Sequence, residues 1–202
     1  MGEKKDCTWL QEDLDEMNVV GLVLARGGSK GVIKKNLALL DGQPLLLRTL
    51  EVMSDASCFT SLWVSTDDDE IAECAKKGGA QVHIRAAYTA TDEASSVCAV
   101  QEYLHYHPDV AVVCLVQCTS PFIKKKYLRE AIKKIHNGYD AVFSVTRRHN
   151  LRWTEGDETK PQNFDPSHRP RRQDWGGELS ENGMFYCCRI DLIHQGLLQG
   201  GR

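Results

Sequence analysis

Residues 19–31 have the sequence VVGLVLARGGSKG, which is the most informative segment of the chain about its fold. Its first seven residues are apolar and rich in branched side chains, which is typical of a strand buried on both faces. The next six, RGGSKG, combine glycines with Arg26 and Lys30, and such a loop lets backbone amides approach an anion closely. The stretch therefore predicts a buried β-strand that ends in an anion-binding loop.

The rest of the chain alternates between short apolar runs and segments with helical periodicity. Strands are predicted at residues 61–65, 81–84, 110–116, 141–145 and 184–188, and helices at residues 44–53, 69–77, 95–105, 125–137 and shortly after 191. Asp67 followed by Glu70 predicts a capping box for the second helix. The predicted fold class is α/β, with a mostly parallel sheet covered on both faces and ligands at the carboxyl ends of its strands.

The length of 202 residues suits one well-packed domain. Residues 1–17 are polar and acidic and are predicted to form an N-terminal extension, with the domain at residues 18–202. Within the domain, residues 147–179 are dense in Arg, Asp, Pro, Gly and His and show little periodicity. Long irregular stretches in compact domains are usually functional, so we expect an active-site excursion or an oligomer contact here.

Composition and charge argue against several classes of protein. The net charge of −3 gives no support to nucleic-acid binding. No run approaches the roughly 20 apolar residues of a membrane span, so we expect no membrane partner. The eight cysteines lack the paired spacing of metal ligands, and we expect them to be reduced thiols.

The glycine-rich loop has enough positive charge nearby to bind a triphosphate. Arg26 and Lys30 lie within it, and Lys35 follows shortly after. The loop matches neither the Walker pattern nor the GxGxxG dinucleotide fingerprint, which disfavours an ATPase or a Rossmann dehydrogenase. A tight turn with solvated lysines is the alternative that these residues alone leave open.

Four motifs resemble those of the CMP-sialic acid synthetases, or N-acylneuraminate cytidylyltransferases. The first is LARGGSKG at 24–31, followed by the pair Lys35 and Asn36. The later ones are WVSTD at 63–67, QCTSP at 117–121, and RPRRQDW at 169–175 with ENG at 181–183. The RPRRQDW stretch is similar to the animal enzymes and differs from the related enzymes that activate octulosonate.

The resemblance implies a Rossmann-like nucleotidyltransferase fold in which residues 147–179 form an inserted dimerisation segment. It further implies that a hydroxyl of N-acetylneuraminate attacks the α-phosphate of CTP and releases pyrophosphate, with Mg²⁺ as cofactor. A homodimer or homotetramer is expected. The alternative substrates are the deaminated neuraminate and octulosonate.

The same resemblance assigns candidate site residues. The catalytic candidates are Lys35, Arg171, Arg172 and Gln173. The substrate-binding candidates are Arg26, Gly27, Gly28, Ser29, Lys30, Asn36, Arg85, Ala94, Ser96, Gln117 and Asn182. Ala94 stands where the family usually has a serine, which removes one possible hydrogen bond to the nucleotide.

No metal ligand is predicted, because the family's Asp-Ile-Asp motif would lie beyond Arg202. We therefore expect a fragment or a truncated isoform, and the alternative is an inactive chain that pairs with full-length subunits. The basic run at residues 169–172 predicts a nuclear location, with the cytoplasm as the alternative.

Overall fold

The computed structural model describes residues 17–29, 31–32 and 34–202. The predicted extension up to residue 16 and the candidate Lys30 lie outside the described residues. The chain divides into two compact units, one of which contains the residues up to Phe143 together with Gly183–Arg202. The other unit is Ser144–Asn182. No helix in the described part of the chain is long and apolar enough to span a membrane.

Six strands form the central sheet: β1 (Val19–Leu24), β4 (Ser61–Thr66), β5 (Gln81–Ile84), β6 (Val112–Val116), β7 (Ala141–Arg148) and β10 (Glu178–Arg189). Their order across the sheet is β5-β4-β1-β6-β10-β7. β1 pairs in parallel with both β4 and β6, β4 pairs in parallel with β5, and β10 is antiparallel to β6. The predicted α/β class with a mostly parallel sheet is therefore confirmed. Two short antiparallel pairs join β2 (Leu39–Leu40) to β3 (Gln43–Pro44) and β8 (Trp153–Thr154) to β9 (Lys160–Pro161).

Helices cover both faces of this sheet. They are α1 (Leu45–Ala56), α2 (Asp69–Lys77), α3 (Ser96–Tyr106), α4 (Lys125–His136) and α5 (Ile190–His194). Val19 and Val23 of β1 belong to the apolar cluster that contains α1, α2 and α4, whereas Val20 and Leu22 belong to the cluster that contains α3 and α5. Alternate residues of a strand point to opposite faces, so β1 is buried on both sides, as its apolar run predicts.

The capping prediction for α2 is wrong by one residue. Oδ1 of Asp68, and not of Asp67, accepts hydrogen bonds from the amides of Glu70 (2.9 Å) and Ile71 (3.0 Å). The carboxylate of Asp67 instead accepts the amide of Gly27 at 3.0 Å. Asp67, Asp68 and Asp69 are consecutive at the start of the helix, and aspartate is a favoured N-cap residue. Because Asp67 bonds to the loop after β1, Asp68 is the residue that caps the helix.

Two of the cysteines face each other across the sheet. The antiparallel register of β10 and β6 places Cys187 directly opposite Cys114, with their sulfur atoms in contact. No spacing along the chain reveals this juxtaposition, and the expectation of reduced thiols stays a prediction for this pair. Among the described cysteines, Cys58, Cys74, Cys98, Cys118 and Cys188 are free.

Candidate active site

A polar cleft lies where several loops of the first unit meet. Most of its lining follows the carboxyl ends of strands or precedes α3, which is where ligands bind in open α/β sheets. The lining residues are Leu24, Arg26, Lys35, Asn36, Arg85, Thr89, Thr91, Asp92, Ala94, Ser95, Ser96, Gln117, Cys118 and Thr119. Seven of the candidate residues are among them, which brings together parts of the chain separated by up to 91 positions.

The loop after β1 contributes a cation held in place by its neighbours. Nη2 of Arg26 donates to Oδ1 of Asp92 at 2.5 Å, and the side chains are only 26% and 29% exposed. Nδ2 of Asn36, which is buried, reaches the carbonyl of Arg26 at 3.4 Å. Charge-assisted hydrogen bonds of this kind orient a guanidinium for an anion.

Gly27 is required by the close approach of this loop to α2. A Cβ added at Gly27 would lie 2.7 Å from Oδ2 and 2.9 Å from Cβ of Asp68. A Cβ added at Gly28 would have no neighbour within 4 Å. A side chain at the first glycine of the motif is thus excluded by steric clash, and the amide of Gly27 donates to Asp67.

Two adjacent lysines in the following turn have different surroundings. Nζ of Lys34 pairs with Glu70 at 2.6 Å, and the hydrogen bond to Glu70 raises the pKa of Lys34. Lys35 begins a turn of 3₁₀ helix, Lys35–Leu37, and lines the cleft together with Asn36. The charge available to a ligand from this pair is therefore that of Lys35.

Arg85 is buried in the wall of the cleft. It is 7% exposed, and burial lowers its pKa from the ordinary value. Its Nε donates to Oγ1 of Thr89 at 3.1 Å, and its Nη2 donates to the carbonyl of the same residue. A buried, fixed guanidinium can form directional hydrogen bonds to a base or a phosphate without losing further conformational entropy.

The start of α3 contributes hydroxyl groups to the cleft. Oγ of Ser95 caps the helix by accepting the amide of Cys98 at 3.1 Å, and Ser96 and Thr91 lie beside it. The amide of Ala94 donates to Oγ1 of Thr91 at 3.2 Å. Ala94 itself presents only a methyl group where a serine would present a hydroxyl.

A family model described as cytidylyltransferase matches residues 20–196, which is most of the chain. The chain belongs to the cytidylyltransferase family. Two of the four motifs that indicated this family contribute residues to the cleft: LARGGSKG with the pair Lys35 and Asn36, and QCTSP.

Relatives within the family include N-acylneuraminate cytidylyltransferase A of Danio rerio, which is 49% identical over 92% of this chain and 44% of its own length. N-acylneuraminate cytidylyltransferase of Oncorhynchus mykiss is 44% identical over 96% of this chain and 46% of its own length. The chain thus spans about half the length of these curated relatives.

A solved structure with a similar fold is CMP:2-keto-3-deoxy-manno-octonic acid synthetase complexed with CTP. The TM-score is 0.68 at 16% identity, over 92% of this chain and 79% of the other. At this identity the similarity shows the fold, and it confirms the predicted Rossmann-like architecture.

Four candidates lie in the second unit, namely Arg171, Arg172, Gln173 and Asn182. Nε of Arg171 donates to Asp174 at 2.7 Å, within an exposed stretch that includes Arg172 and Gln173. Nδ2 of Asn182 donates to Oγ1 of Thr146 at 3.1 Å. Their roles in catalysis and substrate binding stay predictions, as does the dimerisation role of this segment.

Gly27, Gly28 and Ser29 form the loop beside Arg26 but do not line the cleft. Seven cleft residues were not among the candidates, which are Thr89, Thr91, Asp92 and Ser95, together with Cys118, Thr119 and Leu24 inside the quoted motifs. The run TATDEASS at 89–96, rich in hydroxyl side chains between a strand and a helix, was the signal that could have indicated the first four.

The described residues do not by themselves form a metal site. No group of three His, Cys, Asp or Glu side chains suited to a metal occurs within residues 17–29, 31–32 and 34–202. Asp92 is the acidic side chain in the cleft lining, and it is paired with Arg26. Since Mg²⁺ needs oxygen ligands in octahedral geometry, the donor set of the described cleft residues does not fit a protein-held ion.

Proposed function

We propose that this chain carries the nucleotide-binding part of a cytidylyltransferase that activates N-acetylneuraminate with CTP. The observation that carries the proposal is the convergence of Arg26, Lys35 and Arg85 with the amides of Asn36 and Gln117 in one cleft. The names of the relatives at 44% to 49% identity favour a sialic acid over octulosonate as substrate.

The cleft suits the demands of nucleotidyl transfer. The oxygen of a sugar hydroxyl attacks the α-phosphorus and gives up its proton to solvent, and a new P–O bond forms. The bond from the α-phosphorus to the oxygen that bridges to the β-phosphate breaks, and pyrophosphate leaves. Catalysis of such transfer depends mainly on positioning and on neutralising the phosphate charge. Lys35 would provide that charge, and Arg26, whose charge is partly offset by Asp92, would donate hydrogen bonds from its guanidinium. The amides and hydroxyls of the cleft would bind polar edges of the ligands.

We propose Mg²⁺ as the accompanying ion, because a hard cation prefers the oxygen ligands that a triphosphate supplies. Titration of CTP into the chain with and without MgCl₂ tests this, and equal affinities would contradict it.

We also propose a homodimer or homotetramer, which light scattering on the purified chain checks. Nuclear location is proposed from the exposed residues Arg169, Arg171 and Arg172, with the cytoplasm as the alternative that imaging of a tagged chain would reveal.

Adjacent lysines provide a charge-matched test of the function. Lys35→Gln removes a cation from the cleft, whereas Lys34→Gln removes a cation paired with Glu70 outside it. We expect calorimetric titration to give about tenfold weaker CTP binding for Lys35→Gln and an unchanged affinity for Lys34→Gln. Pyrophosphate release with N-acetylneuraminate then tests turnover, and absence of CTP binding by the unaltered chain would refute the proposal.

A further inference from the structure

A buried acidic side chain lies behind the wall of the cleft. Glu102 of α3 is 7% exposed, and it faces β5 and the loop that follows β5. Glutamate is almost never fully buried unless it is paired, because taking a carboxylate out of water is costly. An apolar residue at this helix position would avoid that cost.

The carboxylate of Glu102 forms hydrogen bonds to residues on both sides of Arg85 in the chain. These are the side chain of His83 and the backbone amide of Ala86. Oε2 of Glu102 lies 2.8 Å from Nε2 of His83, and its Oε1 accepts the amide of Ala86 at 3.2 Å. The amide of Arg85 continues the sheet by donating to the carbonyl of Thr66 at 3.0 Å. The backbone at Arg85 is therefore tied to both β4 and α3.

A continuous set of hydrogen bonds runs from Glu102 to the guanidinium of Arg85. The amide of Ala86 bonds to Glu102, and the carbonyl of Ala86 accepts from Oγ1 of Thr89 at 2.8 Å. Oγ1 of Thr89 in turn accepts from Nε of Arg85. A shift of Ala86 would move the acceptor that orients Arg85.

Glu102 and Arg85 also interact electrostatically. Burial lowers the pKa of Arg85, and the carboxylates of Asp67 and Glu102 act in the opposite direction. Glu102 therefore helps to offset the cost of burying a guanidinium, while it does not line the cleft itself.

The surroundings of His83 make the anchor rigid. The ring of His83 lies edge-on to Tyr103 at 5.4 Å and to His107 at 5.7 Å between centroids. Tyr103 and His107 stack at 4.3 Å, and Trp63 of β4 contacts both. Closely packed rings leave His83 little freedom to turn away from Glu102.

We propose that Glu102, held by His83, is a positioning residue that sets Arg85 for nucleotide binding. The inference rests on the proposed function, because it assigns Arg85 to the CTP site. Glu102 does not contact the ligand, so its effect on CTP passes through Ala86 and Thr89 to Arg85.

The test compares CTP affinity with stability in the same variants of the whole chain. Glu102→Gln keeps the size of the side chain and one acceptor but removes the charge, and we expect about tenfold weaker CTP binding by calorimetry. Tyr103→Phe, the next residue of the helix, removes a buried hydroxyl that has no hydrogen-bond partner among the described residues. We expect its CTP affinity to be unchanged.

Leu104→Ala controls for general destabilisation. Leu104 is buried on the same helix, so the variant loses stability without touching the hydrogen bonds around Arg85. We expect a lower unfolding midpoint with CTP affinity within twofold of the unaltered chain. If Leu104→Ala weakens CTP binding as much as Glu102→Gln does, the role of Glu102 is structural and the proposal is wrong.

A double-mutant cycle identifies the route. In an Arg85→Ala background, Glu102→Gln should cause no further loss of affinity, because the residue through which it acts is gone. Additive losses would overturn the proposal. If Glu102→Gln does not fold, His83→Phe keeps the ring contacts and removes Nε2, and we expect at least a threefold loss of affinity, whereas no loss would contradict the anchor.

The two proposals fail in different ways. If the unaltered chain does not bind CTP, the proposed function is wrong and the positioning role falls with it. If the unaltered chain and Glu102→Gln bind CTP equally, the positioning role alone is wrong.

Discussion

The first glycine of the loop after β1 gives a prediction whose size follows from the structure. Neither Gly27 nor Gly28 has a positive φ, so alanine can adopt the backbone of both. A Cβ at Gly27 would lie 2.7 Å from Oδ2 and 2.9 Å from Cβ of Asp68, distances that real Cβ atoms essentially never show. Gly27→Ala should therefore force a displacement, and Gly28→Ala should not.

The displacement is costly because the Asp68 carboxylate cannot simply swing away. It accepts the amides of Glu70 and Ile71, and an N-cap of this type is worth about 1 kcal/mol. Moving the loop instead would break the hydrogen bond between the Gly27 amide and Asp67. We expect Gly27→Ala to lower the free energy of unfolding by about 1–3 kcal/mol, the range for overpacking, and Gly28→Ala to change it by less than about 0.5 kcal/mol.

Denaturation in urea measures both variants, and a second substitution tests the mechanism. Asp68→Gly removes the clashing atoms, and glycine at an N-cap costs only a few tenths of a kcal/mol relative to aspartate. In that background Gly27→Ala should cost at least about 1 kcal/mol less than it does alone. Equal costs in the two backgrounds would refute the steric reasoning, as would equal losses for Gly27→Ala and Gly28→Ala.

Three further predictions concern single sites. Ala94→Ser adds a hydroxyl to the cleft lining and should strengthen CTP binding about threefold by calorimetry, whereas weaker binding would mean that the methyl group is needed. Burial raises the pKa of Cys118 to about 12, so its thiol stays protonated at about pH 8. Iodoacetamide should leave it unmodified in the folded chain by mass spectrometry, and rapid labelling would contradict this. The hydrogen bond from Arg152 lowers the pKa of Glu178. The ion pair therefore stabilises the second unit at pH values above the ordinary carboxyl pKa, and this stabilisation is lost as the pH falls through the lowered pKa of Glu178. The stability difference between Arg152→Gln and the unaltered chain should therefore shrink in acid, and a difference that is constant with pH would argue against the pair.

Local pattern predicted most of the regular structure. The helix at 69–77 was predicted with the observed bounds, because its apolar face, acidic first turn and basic last turn all agree. The strand predicted at 184–188 is observed as Glu178–Arg189. Its first half contains charged and polar residues and was not apolar enough to be distinguished from a loop.

Part of the candidate site could be predicted from motifs, because the motifs that resemble the family contain several of the residues that line the cleft. Arg26, Lys35, Asn36 and Gln117 come from three separate stretches of chain, and the structure places all of them around one cleft. Asp67 shows where such reasoning ends. Its position just before a helix predicts a cap, whereas its contact partner is Gly27, which lies 40 residues earlier in the chain.

Glu102 marks a different limit of sequence pattern. In the run VCAVQEYLHY, a glutamate next to a glutamine is typical of the solvated face of an amphipathic helix. The residue is buried because β5 places His83 opposite it and because the loop after β5 presents the amide of Ala86. Neither fact can be derived from the helix, since both depend on which strand forms the edge of the sheet. An apolar side chain in place of Glu102 would have stabilised the same helix without the cost of desolvating a carboxylate. The burial of Glu102 is therefore explained more simply by the need to hold Arg85 in position than by a contribution to stability.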